Sequence, residues 1–214
     1  MPGIGNNSVH EFQIRLNSFK RSYVKDWEDW CYKYQNSNED IPFEFGKILR
    51  RWQSCRPNSM RRTRHEMEHG SPYLEDLIAA SNDHLDALIN FDLTRISTIT
   101  NRVEIALKYL WDIFENLSYR GRARNGRAGV VGISKAVLLL SRGCVGPAFD
   151  SNVQYNLGIK HIDTADEWIE SIKLASRDIT NFELANRRSL KEATPDEFRL
   201  LNVGRIYDMA LGPN

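Results

Sequence analysis

Two stretches of the chain carry residue types whose spacing suits chemistry. His65-Glu66-Met67-Glu68-His69 fits the H-E-x-x-H pattern, in which two imidazoles one helical turn apart hold zinc and the glutamate acts as general base. Its flanks speak against that use: Arg61-Arg62-Thr63-Arg64 precede it and the helix-breaking Gly70-Ser71-Pro72 follows, leaving no apolar face to pack around a metal. A solvated charged segment is the expectation there, with a zinc-dependent hydrolase using His65, Glu66 and His69 as the alternative. The second stretch runs from Tyr119 to Val153. It places Arg120, Arg122, Arg124 and Arg127 in a glycine-containing loop, and no acidic residue occurs from Tyr119 to Ala148. Cations without local counter-charges, on a loop free to conform, suit the phosphates of a nucleic acid. Gly129, Gly132, Ser134 and Lys135 follow, then Pro147 and the pair Asp150-Ser151, where the aspartate reads as a helix N-cap.

Helices must position these residues. Val9, Phe12, Leu16, Phe19, Tyr23, Trp27, Trp30 and Tyr34 recur at spacings of three and four, which predicts one long amphipathic helix from Ser8 to about Tyr34. Pro42 opens a second helix carrying Phe45, Ile48, Leu49 and Trp52, and Leu74 to Ile89 marks a third. Asp92 is the expected cap of a fourth, through Ile96, Ile99, Val103, Leu107, Leu110, Phe114 and Leu117. Gly129 to Leu140 is a glycine-bounded turn leading into a short apolar element, helix or strand. A further helix starts at Asp163 or Thr164 and carries Trp168 through Phe182; Thr194-Pro195-Asp196-Glu197 is a capping box before the last one, which ends near Leu211. Trp27, Trp30 and Trp52 fall where amphipathic helices bury their residues, so they are assigned to the core.

The stretch from Gly129 to Val153 resembles the helix-hairpin-helix DNA glycosylases. Members of that superfamily carry a G-x-G-x-K hairpin before a helix, then a proline, then an essential aspartate opening the next helix. Gly129, Gly132 and Lys135 are similar to the first part, and Pro147-Ala148-Phe149-Asp150-Ser151-Asn152-Val153 to the second. The nearest likeness is to bacterial proteins with the 8-oxoguanine DNA glycosylase fold. It covers roughly the last hundred residues. Here the two glycines stand three apart rather than two, and Lys135 lies closer to Asp150 than in the family.

The resemblance implies a two-lobed all-α fold with a helix-hairpin-helix-like motif, and a glycosylase that flips a damaged or modified base out of double-stranded DNA and excises it. It implies Asp150 as the carboxylate that supports the oxocarbenium-like sugar, and Lys135 as the amine that captures that sugar in a Schiff base, making the enzyme a glycosylase/lyase. An aspartate-only, monofunctional enzyme stays open, as does a non-catalytic DNA-binding protein of the same fold. Gly129, Gly132 and Ser134 join the four arginines as expected DNA contacts. An oxidised purine and the modified pyrimidines of phage DNA are both open as substrates, so repair and antiviral defence are both open as roles.

Composition bounds the rest. A chain of 214 residues with 41% hydrophobic and 27% charged residues suits one helical domain over 1–214, with residues 119–158 forming the basic loop, hairpin and aspartate-bearing helix. Lys and Arg number 29 against 28 Asp and Glu, so the net charge of +1 makes any basic surface local. Cys31, Cys55 and Cys144 are too few for a four-cysteine iron-sulfur cluster and read as reduced thiols. No apolar run is long enough for a membrane, and no signal-peptide pattern opens the chain. The expectation is a cytoplasmic monomer of about seven to nine helices, with no metal or organic cofactor.

Overall fold

The computed structural model describes residues 3–36, 40–66, 70–119 and 126–212. The protein is all-α. Among the described residues, ten α-helices and several 3-10 turns make up the regular structure, and the β-type pairing is one isolated antiparallel bridge between Met60 and Ser118.

The long N-terminal helix divides into α1 (Val9–Ser18) and α2 (Arg21–Gln35). Ser8 and Glu11 form a capping box at the start of α1, and Phe19 ends it in an extended conformation. At that break Phe19 is buried against Tyr23 and the guanidinium of Arg205. Helix α3 (Ile41–Arg51) starts at Asp40 with Pro42 in its first turn, and α4 spans Leu74–Asp86. Asp92 does not cap the next helix: its carboxylate accepts from the amide and hydroxyl of Thr94 in a tight turn, and Thr100 caps α5 (Asn101–Phe114) instead.

The ambiguous apolar element is a helix, α6 (Val130–Leu140). It is buried on nearly every side, packing against α3 and α5, which is why its sequence lacks an amphipathic period. Helix α7 (Ser151–Leu157) is short and ends at Gly158 in the left-handed region. Helix α8 (Ala165–Asn186) opens with the Thr164/Glu167 capping box, and the four-residue α9 (Leu190–Ala193) with a second box, Ser189/Glu192. The Thr194 to Glu197 signal yields only a 3-10 turn, and α10 (Val203–Leu211) begins after Asn202.

One hydrophobic cluster, including Phe12, Trp30, Phe45, Phe114, Phe149, Trp168 and Phe182, runs through all of these helices. Helix α1 packs on α9 and α10, so the two ends of the chain meet. Among the described residues no helix is long and apolar enough to cross a membrane.

Candidate active site

Helix α6 delivers Lys135. The lysine reaches back to the end of α3, where Nζ donates to the carbonyl of Trp52 at 2.6 Å. Carbonyls at a helix C-terminus carry partial negative charge and suit a cation. Burial nevertheless pushes the Lys135 amine below the ordinary lysine value, with the charges of Asp150 and Asp208 opposing that shift.

Asp150 is the N-cap of α7. Its Oδ1 accepts from the amides of Asn152 (3.0 Å) and Val153 (3.1 Å), and Oδ2 takes no hydrogen bond among the described residues. A carboxylate has two oxygens, so capping leaves one available for other work. Lys135 and Asp150 line the same small pocket, which has room for little more than one water molecule.

The other walls come from both ends of the chain: Phe19 and Tyr23 from the α1–α2 corner, Trp52 from the end of α3, Ala148, and Arg205 and Asp208 from α10. Arg205 is 2% exposed. It donates from Nη1 to Asp208 Oδ2 at 2.5 Å and from Nη2 to the carbonyl of Tyr23 at 3.1 Å. Its guanidinium carbon stands about 5 Å from the rings of Phe19, Trp27 and Trp52, a cation among aromatic faces. Trp52 stacks on Trp27 at 6.4 Å between ring centres and donates its indole N–H to Asp26, which Arg51 also pairs. Burial pushes the Asp208 carboxyl up and the Arg205 guanidinium pulls it down. Beside Lys135, burial pushes the Cys55 thiol up to about 12, so that sulfur stays protonated at neutral pH.

Several sequence expectations are corrected here. Gly132 is buried, its N–H donates to Gly129 O at 3.0 Å, and a Cβ there would stand 2.9 Å from Cys55 Sγ and 3.0 Å from Ser54 O. It is a close-packing glycine rather than a phosphate cradle. Ser134 is buried too; its hydroxyl donates to Val130 O at 2.6 Å and accepts from the Phe149 amide at 2.9 Å, so it is spent inside the fold. Gly129, exposed at the N-cap of α6 with open space around its α-carbon, keeps the geometry of a backbone contact. Arg127 is exposed but pairs with Glu115 at 2.7 Å, an acid supplied from just beyond α5. Arg120, Arg122 and Arg124 lie outside the described residues.

The H-E-x-x-H stretch does not begin as an α-helix. His65 and Glu66 sit in a 3-10 turn, Arg64–Glu66, and the Glu66 carboxylate is occupied by Arg50 and by the amide and hydroxyl of Thr63; His69 lies outside the described residues. Trp52, assigned to the core, is both core and pocket wall. Phe19, Tyr23, Arg205 and Asp208 were not anticipated. A signal existed in one case: Arg205 and Asp208 stand i, i+3 within an apolar stretch of helix, where a charge pair has to be buried.

No described protein family, curated protein or solved structure gives a match to this chain.

Proposed function

We propose that the protein is a DNA glycosylase that takes a flipped, damaged or modified base into the pocket beside Lys135 and Asp150. The observation that carries this reading is the meeting of those two side chains, 15 residues apart in sequence, in one small pocket with aromatic walls. As it stands the pocket has room for little more than one water molecule, so a flipped base enters only when the side chains around it part. Phe19, Tyr23 and Trp52 line it, side chains of the kind that pack on a flipped base.

In this reading the free oxygen of Asp150 stabilises positive charge on the sugar as the N-glycosidic bond breaks, and the bonding pair leaves with the base, which takes up a proton. Lys135, partly desolvated, supplies an amine that bonds to the sugar C1′ and loses a proton on the way to a Schiff base. Arg120, Arg122, Arg124 and Gly129 are the proposed backbone contacts, with Arg127 contributing less because Glu115 shares its charge. Repair of oxidised DNA and attack on modified phage DNA both fit this chemistry.

The test is incubation with duplexes that each hold one damaged or modified base, followed by borohydride trapping and hot-alkali cleavage. Alkali-sensitive cleavage at one base, abolished in Asp150→Asn, is the expected result, together with a trapped adduct missing in Lys135→Ala. The capping bonds of Asp150 also favour a second reading, a non-catalytic DNA-binding protein in which Asp150 serves the helix alone. Tight binding with no cleavage across the panel would select it.

A further inference from the structure

The segment between the end of α6 and the start of α7 has no regular structure, so its buried amides need partners from elsewhere. Two consecutive amides find them in side chains. Ala148 N–H donates to Asp208 Oδ1 and Phe149 N–H to Ser134 Oγ, each at 2.9 Å and each buried. Asp208 is fixed in turn by Arg205, and the hydroxyl of Ser134 is aimed by its own bond to Val130 O. Upstream, Gly146 lies so close to Gly204 that an added Cβ would stand 2.6 Å from its carbonyl oxygen, which seats the segment on α10.

The Ser134 bond has a position that Asp208 lacks. Ser134 precedes Lys135 on α6, and Phe149 precedes Asp150. One hydrogen bond in a buried setting therefore ties together the immediate neighbours of the two reacting residues. We infer that Ser134 is a positioning residue that sets where Asp150 stands relative to Lys135. The inference rests on the reading of those two as the reacting pair, and Asp208 supports it by pinning the adjacent amide.

The test uses the titration of Lys135, followed by NMR of its side chain, as a ruler for Asp150. The charged and titratable groups acting on Lys135 are Asp150, Asp208 and Cys55, which raise its value, and Arg205, which lowers it. Ser134→Ala removes none of them. If the serine holds Asp150 in place, its loss lets the carboxylate retreat, and the Lys135 midpoint falls because less negative charge stands by the ammonium. Ser134→Thr, which keeps the hydroxyl, restores the midpoint. In an Asp150→Asn background Ser134→Ala adds no further shift, because the charge being moved is gone.

On lesion-bearing DNA, Ser134→Ala slows single-turnover excision by about 10- to 100-fold while leaving duplex affinity unchanged, the signature of misplacement rather than lost binding. An unchanged Lys135 midpoint in Ser134→Ala would overturn the inference, as would a fall that persists in the Asp150→Asn background. Should Ser134→Ala not fold, Ser134→Cys, similar in volume and weaker as an acceptor, carries the same reading. A wild-type protein that excises nothing sinks the glycosylase reading alone, since the titration still decides the placement of Asp150.

Discussion

Asp150 holds α7 with one oxygen and, among the described residues, leaves the other unbonded, so the capping it performs and the catalysis proposed for it separate by substitution. Asparagine caps a helix about as well as aspartate, whereas alanine costs roughly 1 kcal/mol. Asp150→Asn is expected to melt within about 0.5 kcal/mol of the parent and, on the glycosylase reading, to lose base excision, whereas Asp150→Ala loses the cap as well. Equal activity in Asp150→Asn would leave the residue a cap only. Lys135 gives a second prediction. Its folded value lies below the ordinary lysine value near 10.4, because burial disfavours the ammonium. The rate of adduct trapping should rise with pH and level off below that ordinary value; a midpoint at the ordinary value would contradict a desolvated nucleophile. The same shift makes the unfolded chain bind more protons between the two values, so this residue's contribution to stability grows as pH rises through that window. That Lys135 follows a glycine turn and that Asp150 opens a helix were legible in the sequence, because those signals are local. Phe19, Tyr23, Arg205 and Asp208 were not, since more than 180 residues separate Tyr23 from Arg205 and only tertiary packing joins them.

At the scale of the helices, local end signals were reliable where a side chain closes on its own first turn, as at Thr164 and Asp150. They misled where another bond competed for the same group. Asp92 turned to Thr94 instead of a helix, and the apolar period through Phe19 continued across a break that the sequence does not mark. The period reports which residues are buried, and both a straight and a broken helix bury Phe19. Burial on all sides hid α6 for the opposite reason: with no polar face there is no period to read. That crowding makes Gly132 a sensitive position. A methyl group there meets the backbone carbonyl of Ser54 at 3.0 Å and Cys55 Sγ at 2.9 Å, so Gly132→Ala must push α6 away from the segment after α3. The expected cost is about 1–3 kcal/mol by chemical denaturation. Because Lys135 bonds to the carbonyl of Trp52 across the same contact, the shift should also raise solvent access to the lysine, read as faster reaction with an amine reagent.

Across the whole molecule, the chain ends are stitched by one carboxylate. Asp178 on α8 accepts from the amides of Ile4 (2.8 Å) and Gly5 (3.0 Å) and from the hydroxyl of Tyr207 on α10 (2.8 Å). Gly3 and Gly5 approach it so closely that a Cβ at either would collide with the carboxylate. Asp178→Ala strands three donors, and a loss of about 1–3 kcal/mol is expected in thermal unfolding. Since α10 also carries Arg205 and Asp208, on the glycosylase reading that variant should lose excision at temperatures where its far-ultraviolet circular dichroism is still native; retained excision up to global melting would show that the stitch and the pocket are uncoupled. The pairing of first and last helices also governs the protein's birth on the ribosome. Phe19 and Tyr23 leave the exit tunnel long before Arg205 and Asp208 are made, and at about 5–20 residues per second the wait is on the order of ten seconds or more. Throughout that interval α1 displays an apolar face whose partners, α9 and α10, are not yet made, a period in which a chaperone has something to hold and a stalled or prematurely terminated chain has no pocket at all.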